Sequence, residues 1–442
     1  MNEISASAKS METTDILVIG AGAAGMMAAY KLSQKGKKVT VLEARDRTGG
    51  RIRTIKDRDF FKQAELGAEF IHGDLPVTLS LLKEAGIAYE TATGKMARYA
   101  NGKFTGDETF IEHWDVLIAK LKELNKDEPI GQFLEREFGD DKYQSMRSSV
   151  TRYVAGYDTA DVQKASAFAL RQEWLNEDDD AQHRVTDGYC AMIGYLSNKI
   201  KEAGGQIFLN SIAKIIQWEK GYVQVTTTNG VKYNAAKLVI AMPLGVLQAP
   251  KHETGAIVIE PPVPTYQNAI NQFGFGAIIK FLLEFDAPFW TDKNLAKAIN
   301  KNLEGVTFLI SDQEVPTWWM QHSPGSGLLT GWLGGPPAEA KKHCTAEELL
   351  QQALQSLSTI FKLSVDELKS KLITWKVANW TTDTFTRGSY VYDTVATPEA
   401  RKILMQPIED TLFFAGEYLY EGPSMGTVEA ALTSGVEVGT RI

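Results

Sequence analysis

Between Asp15 and Arg51 the chain reads DILVIGAGAAGMMAAYKLSQKGKKVTVLEARDRTGGR, an order that few folds accommodate. The apolar run Ile16-Leu17-Val18-Ile19 has the length of a buried strand and is broken by Gly20, Gly22 and Gly25. A helical stretch follows, then a second β-rich run, Val39-Thr40-Val41-Leu42, which ends at Glu43. Strand, glycine turn, helix and strand in this order are what a dinucleotide-binding βαβ unit requires. Gly20 permits the tight turn, Gly22 lets the backbone approach a pyrophosphate, and Gly25 lets the helix pack close to the strand. The helix N-terminus, with Ala23 and Ala24 among the expected binding positions, offers free N–H groups and a positive dipole end to phosphates. Glu43 places a carboxylate where it accepts from ribose hydroxyls. The plainer alternative is a glycine-punctuated strand–helix turn with Glu43 as an ordinary surface residue.

This fingerprint alone does not separate NAD from FAD. Ala44-Arg45-Asp46-Arg47-Thr48-Gly49-Gly50-Arg51 follows directly. Two glycines beside several arginines make a second anion-binding stretch, unless the segment is only a solvated basic loop. A diphosphate held between a helix N-terminus and an arginine suits FAD. LEARDRTGGR after GAGAAG resembles the start of the flavin-containing amine oxidases, which include monoamine oxidases, polyamine oxidases and histone lysine demethylases. Three further segments extend the resemblance over nearly the whole chain.

The resemblance implies an α+β flavoprotein of two domains, with an α/β FAD-binding part and an interleaved mixed-sheet and helical substrate part. Segments 15–76, 187–262 and 395–442 are expected to assemble the FAD domain. Segments 77–186 and 263–394 are expected to form the substrate domain, helical over about 108–186. Residues 1–14 are polar and read as a loose leader without a secretory apolar region.

The pattern along the chain agrees with that layout. Periodic stretches such as Trp114 to Leu124 predict helices, and Ile207 to Ala241 turns β-rich around a hairpin signal at Asn229-Gly230. Ile278 to Phe285 predicts a strand and Ala346 to Phe361 an amphipathic helix. Leu412 to Ala415 predicts another strand, with a helix starting near Gly426.

With 442 residues, 44% apolar and 23% charged, the chain has room for full globular cores. A net charge of −8 argues against a nucleic-acid partner. Two distant cysteines, Cys190 and Cys344, suggest reduced thiols in a cytoplasm-like compartment. No apolar run approaches the ~18–20 residues of a membrane span, and no His or Cys cluster suggests a metal. The expected partners are a small-molecule amine and O2, with the protein a monomer or homodimer.

The second resemblance is Leu66-Gly67-Ala68-Glu69-Phe70-Ile71-His72-Gly73. In the family this loop lies against the flavin, which assigns Gly67, Ala68 and Glu69 to the cofactor and points His72 toward substrate. The plainer reading of His72 is a packed histidine with no chemical role. Relatives that oxidise amino acids usually carry an arginine in this loop, and none occurs from Ala64 to Gly73, which weakens an amino-acid substrate. The third resemblance is Phe275-Gly276-Ala277-Ile278-Ile279-Lys280-Phe281. A lysine inside an apolar strand is costly without a purpose. In the family it holds a water near flavin N5, where a cation also stabilises superoxide as O2 is reduced. The alternative is an edge-strand lysine that snorkels to solvent.

The fourth resemblance joins Phe414-Ala415-Gly416-Glu417-Tyr418 to Gly426-Thr427-Val428-Glu429. It implies that Gly416 and Glu417 reach the ribityl chain and that the last helix, beginning at Gly426, Thr427 and Val428, points its N-terminus at the flavin ring. Glu429 reads as structural. By the same resemblance Ile212 and Trp380 contact the cofactor. Monoamine oxidases have a flavin-linked cysteine where this chain has Ser389, so FAD is expected to be non-covalent. Tyr390 matches one wall of the family's aromatic cage, while the opposite wall is Thr427, a departure that resembles polyamine-oxidising and demethylase relatives more than monoamine oxidases. The acidic run Glu173, Glu177, Asp178, Asp179, Asp180 reads as a polyamine-binding patch or, more plainly, a solvated helix end.

The expectation is an FAD-dependent amine oxidase in which Lys280, Tyr390 and His72 serve the chemistry. It would convert an amine to an imine that hydrolyses to a carbonyl, with O2 reduced to hydrogen peroxide. Polyamines or secondary amines lead, then primary monoamines, then L-amino acids should an arginine reach the site from elsewhere. A desaturase sharing the FAD motifs, or a flavin-bound interaction module without turnover, remains open.

Overall fold

A computed structural model describes residues 14–56, 60, 63–92, 94–105, 111–176, 182–320 and 325–442. Its largest sheet runs in the order Gln206–Phe208, Val39–Leu42, Thr14–Ile19, Lys232–Ile240, Tyr222–Thr227, Ala213–Glu219, Val258–Glu260, and Leu412–Phe414 pairs with Lys232–Ile240. Thr14–Ile19 pairs in parallel with both Val39–Leu42 and Lys232–Ile240. The turn at Asn229-Gly230 joins the antiparallel pair Tyr222–Thr227 and Lys232–Ile240. Strands from the start, middle and end of the chain thus share one ladder.

The first strand explains its own unbroken hydrophobicity. Ile16 and Val18 join a core with the helix Ala23–Gln34, while Leu17 and Ile19 join a second core on the opposite face. Both faces of a parallel sheet are covered, so alternation with polar residues disappears. The C-terminal helix Val428–Arg441 lies along Ala23–Gln34. The contact is close because a Cβ on Gly435 would sit 2.5 Å from the Ala24 carbonyl oxygen.

A second sheet runs Leu372–Asn379, Ile278–Phe285, Leu328–Gly334, Thr317–Met320, Val306–Ser311, Lys95–Ala100, Lys103–Thr105. Ile279, Phe281 and Leu283 face the helix Ala346–Phe361, where they meet Leu349, Leu354 and Leu357. A capping box at Thr345 and Glu348 starts that helix. The other face of Ile278–Phe285 turns Lys280 and Leu282 toward the segment Ala64–Glu69, and Leu282 packs with Ala64 and Leu66. The strand is flanked on both sides, so Lys280 is not an edge residue.

Helices Trp114–Glu123, Ile130–Glu137, Gln144–Gly156 and Ala167–Asn176 enclose a core of their own. The helical expectation stops short of its end, because Gln182–Val185 is a strand between Phe70–His72 and Tyr89–Thr91. Residues on either side of the boundary expected at 76 therefore share one small sheet. Ala269, Ile270, Phe273 and Val391 pack into the core of the large sheet although the sequence assigns 263–394 elsewhere. The expected leader lies outside the described residues apart from Thr14, which already pairs with Ala235. Among the described residues no helix is long and apolar enough to cross a membrane, and no group of three or more His, Cys, Asp or Glu suits a metal ion.

Candidate functional site

The glycine turn is built as its spacing demands. Gly20 has φ +103°, and a Cβ there would lie 2.5 Å from the Ala241 carbonyl oxygen. A Cβ on Gly25 would lie 2.0 Å from the Gly20 carbonyl oxygen, so only glycine lets the helix sit this close to the turn. Gly22 differs from both, since a Cβ there would meet nothing within 4 Å. Gly22 caps the helix Ala23–Gln34, and no side chain bonds the first-turn amides. Backbone donors therefore face open space, which is the arrangement an anionic diphosphate needs.

Glu43 is buried at the end of the second strand. Its carboxylate accepts from the Ala21 N–H at 2.7 Å and the Arg45 N–H at 2.9 Å. Burial pushes its pKa up, and those two donors oppose the shift. The arginines of the next loop are largely committed to the protein. Arg45 pairs with Asp383 and bonds Thr386 Oγ1 at 2.8 Å. Arg47 donates to the carbonyls of Thr48, Gly50 and Ile52, which ties the loop to itself, and burial lowers its pKa to about 10. Arg51 donates to the Ser389 carbonyl at 2.6 Å and to Glu417 at 2.8 Å. Arg45 and Arg51 still border the cavity, but the stretch is a braced wall more than a set of loose cations.

From this cradle one connected cavity of about 990 Å³ runs through the protein. Gly20, Gly22, Ala23, Ala24, Glu43, Ala44, Arg45, Gly50, Arg51, Ile212 and Trp380 line it. Gly67, Ala68, Glu69, Gly416, Glu417, Gly426, Thr427 and Val428 line it further on, with Lys280, Tyr390 and His72. Gly25 is the exception and lies beneath the turn. Glu429 sits behind the wall, where its carboxylate accepts from the Val77 and Thr78 amides and the Thr78 hydroxyl. It caps the helix Pro76–Ala85 and fastens it to the C-terminal helix.

Lys280 is 1% exposed. Its Nζ donates to Glu69 Oε2 at 3.0 Å and to the Gly67 carbonyl at 3.1 Å, and lies 5.2 Å from the Trp319 ring centroid. The same carboxylate pairs with Arg184 at 3.2 Å and accepts from Trp319 Nε1 at 2.9 Å. The side chain of Glu69 is thus spent on holding two cations.

Around the substrate end the walls are aromatic. The His72 ring stands 5.7 Å from Phe70 and 6.2 Å from Tyr157. Tyr153 stacks on Tyr157 at 5.5 Å with their planes 5° apart. The Tyr390 hydroxyl donates to the Tyr157 carbonyl, and its ring lies against Gly426, where a Cβ would stand 2.8 Å away. Burial, then Asp158 and Glu173, raise the Tyr390 pKa well above its usual value and keep it a neutral phenol. Ser389 Oγ shares a 2.6 Å hydrogen bond with Thr159 Oγ1.

Several lining residues carry no sequence signal. Asp158, Arg98, Arg152, Trp319 and Trp332 reach the cavity from elements whose placement depends on tertiary packing. Alternation in Lys95–Ala100 marks Arg98 as facing away from Ala97 and Tyr99, but not what it faces. Of the acidic run, Glu173 lines the cavity, while Glu177, Asp178, Asp179 and Asp180 lie outside the described residues.

Residues 23–442 match the family model for flavin containing amine oxidoreductases. The chain belongs to that family. Among its relatives, the chain is 28% identical to lysine-specific histone demethylase 2 of Homo sapiens, over 98% of this chain and 54% of the relative. It is 27% identical to polyamine oxidase 2 of Arabidopsis thaliana, over 95% of this chain and 86% of that one. It spans about half the length of the human demethylase it matches. In fold it is similar to a putrescine oxidase solved with putrescine bound, with a TM-score of 0.79 at 20% identity over 97% of this chain and 99% of the other. The family implies a flavin cofactor, and the open cradle at Gly22, the uncapped helix and the length of the cavity fit FAD.

Proposed function

We propose that the chain oxidises the C–N bond of a small-molecule amine, with non-covalently held FAD and with O2 as the final acceptor. The observation that carries the reading is the continuity of one cavity, from the diphosphate-suited turn at Gly22 to the aromatic chamber of Tyr390, Tyr157 and His72, past buried Lys280. FAD, when bound, supplies the two-electron acceptor for the C–H bond beside nitrogen. The amine loses two electrons and two protons to become an imine, and water then gives a carbonyl compound and the freed amine. O2 takes up the two electrons and two protons as hydrogen peroxide.

The residues of the chain contribute position and electrostatics. Gly22, Ala23 and Ala24 present backbone donors to the diphosphate, and Glu43 offers its remaining lone pairs to ribose hydroxyls. Ser389 has no thiol, which supports non-covalent attachment. The faces of Tyr390 and Tyr157 orient an amine and strip its water. Asp158 and Glu173 attract an arriving ammonium. Lys280 keeps a fixed positive charge at the cavity wall, where it favours reduction of O2.

The test is the visible spectrum of the purified protein, titrated anaerobically with spermidine, spermine, putrescine, tyramine, phenylethylamine and several L-amino acids. Bleaching of a flavin band by an amine, with peroxide formed on readmission of air, supports the reading. A bound flavin that no amine bleaches defeats it and favours a desaturase or a binding role.

A further inference from the structure

Behind Lys280 lies a second, much smaller cavity. Its volume is about 30 Å³, and Glu69 borders both it and the main cavity. Its walls include exposed Glu90 and Thr186 as well as buried Glu65 and Glu69, so it leads inward from the surface. The small sheet explains the placement. On Gln182–Val185, Arg184 lies directly opposite Phe70 on one side and Glu90 on the other. Its side chain therefore sits between the outer strand and the segment that carries Glu69.

The two oxygens of Glu69 have different surroundings. Oε2 accepts from Lys280 Nζ at 3.0 Å and from Trp319 Nε1 at 2.9 Å. Oε1 stands 3.2 Å from Arg184 Nη2, close enough for an ion pair. It is buried, yet takes part in no hydrogen bond among the described residues. Arg184 Nη2 donates instead to the Met320 carbonyl at 2.6 Å, and the guanidinium lies 4.5 Å from the Phe70 ring centroid. Arg184 Nε is likewise buried without a hydrogen-bond partner among the described residues. A charged acceptor and a charged donor left unsatisfied are costly.

Both atoms belong to residues that line the small cavity. Nε shares one small planar group with Nη2, so a single small molecule reaches both it and Oε1. The chemistry of the two atoms selects that molecule. A cation would meet the Nε–H, and an anion would meet the carboxylate. Water donates to Oε1 and accepts from Nε, and it needs only ~10–15 Å³. A cavity of about 30 Å³ has no room for an amine substrate.

We propose that one water bridges Glu69 Oε1 and Arg184 Nε, and that the small cavity is a solvent inlet that returns protons to Lys280 while an amine fills the chamber. The site stands on geometry, and its use rests on O2 being the acceptor in the oxidase reading. Reduction of O2 to hydrogen peroxide consumes two electrons and two protons. A proton that leaves Lys280 Nζ for the reduced oxygen is replaced from this side. The bridging water passes a proton to Glu69, the protonated carboxyl hands it to Nζ, and solvent beside Glu90 and Thr186 restores the water. One proton moves inward, and no electron moves with it. This water is distinct from any on the chamber side of Lys280, because Glu69 stands between them. Glu65 borders the same cavity, and its carboxylate accepts from Thr54 Oγ1 and the Tyr189 N–H, each at 2.9 Å. Burial raises its pKa to about 7, so it exchanges protons near neutrality.

A crystal structure of the purified protein that resolves ordered water tests the site. The expected result is a water within hydrogen-bond distance of both Glu69 Oε1 and Arg184 Nε. A map that shows other buried waters but none here overturns the proposal. Thr186→Trp, at an exposed position, tests the inlet by plugging its mouth. Two rates are read: anaerobic bleaching of the flavin by an amine of the panel above, and reoxidation by O2 after photochemical reduction, which needs no amine. The ratio of reoxidation to bleaching should fall about 10-fold or more, toward the range of a positioned proton donor. Reoxidation in the variant should also slow in D2O. Arg184→Met, which removes one partner of the water, should lower the same ratio.

An unchanged ratio in Thr186→Trp overturns the inlet, and bleaching by an amine in that case leaves the oxidase reading in place. A lowered ratio with no slowing in D2O overturns it as well, since no proton then limits the step. Reoxidation that slows in Thr186→Trp although no amine bleaches the flavin keeps the inlet and removes the amine oxidase.

Discussion

Glu69 holds two buried cations with one carboxylate, and that imbalance makes the cost of each substitution unequal. Its oxygens stand 3.0 Å from Lys280 Nζ and 3.2 Å from Arg184. With an effective dielectric constant near 20, each pair is worth about 5–6 kcal/mol of attraction before the cost of desolvation. Lys280→Met removes one positive charge and leaves Glu69 balanced by Arg184. Glu69→Gln leaves Lys280, with its side chain 1% exposed, and Arg184, at 13%, facing each other without an anion. Breaking a buried pair in that way costs about 3–5 kcal/mol. Lys280→Met should cost less, about 1–3 kcal/mol, mainly from its lost bond to the Gly67 carbonyl and an imperfect fit. The double variant Lys280→Met with Glu69→Gln should be more stable than Glu69→Gln alone, because only one buried cation is then uncompensated. Urea unfolding followed by tryptophan fluorescence, with a double-mutant cycle, measures all three. The charge argument is refuted if Lys280→Met proves as damaging as Glu69→Gln, or if the double variant is the weakest of the set.

Further outcomes follow from the same geometry. Gly22→Ala should fold with little loss but weaken FAD retention at least tenfold, because its methyl enters the open cradle. Gly25→Ala should lower the yield of folded protein, because its methyl lands on the Gly20 carbonyl; equal behaviour in a flavin-retention assay and a melting curve would contradict this. Burial pushes the Glu65 pKa up to about 7. Between its unfolded value near 4.5 and about 7, the folded chain keeps a proton that the unfolded chain has released. This contribution is therefore full below pH ~4.5 and is lost as pH rises to ~7, on the order of 3 kcal/mol in all. Glu65→Gln should flatten the fall in unfolding free energy over that range, and an unaltered slope would count against the assignment. Glu429→Ala should cost about 1–3 kcal/mol by uncapping the helix Pro76–Ala85, with thermal melting as the measure.

What was legible in the sequence was local. Gly20, Gly22 and Gly25 specify a turn through three different steric demands, of which that of Gly25 is set by its near neighbour Gly20, while that of Gly20 is set by Ala241 from far along the chain. The strand Ile278–Phe285 and the helix Ala346–Phe361 carry strong periodicity, and their ends fall where the pattern ends. Lys280 announced itself because a charge inside an apolar run needs a partner, but nothing in the sequence named Glu69 and the Gly67 carbonyl as those partners. The basic loop from Arg45 to Arg51 reads as an anion site, yet Asp383 and Glu417, more than 300 residues away, occupy two of its arginines. Gln182–Val185 pairs with residues on both sides of an expected domain boundary, which no one-dimensional pattern reveals. Arg98 and Arg152 are invisible for the same reason, since an arginine on a strand or helix face looks the same whether that face meets solvent or a cavity.

The ladder that joins Leu412–Phe414 to Lys232–Ile240, and through it to Thr14–Ile19, also sets a schedule. The unit Thr14–Leu42 is made before both helices that cover its helix Ala23–Gln34, Cys190–Glu202 and Val428–Arg441. Until Val428–Arg441 docks, Met27 and Ala28, which it abuts through Gly435, lack that part of their cover. Loop closure across nearly the whole chain must precede completion of the nucleotide cradle, so assembly is slow and dominated by non-local contacts. A chain cut before Val428 would keep its binding turn but lose this cover, and the bared apolar flank would make it a substrate for chaperones.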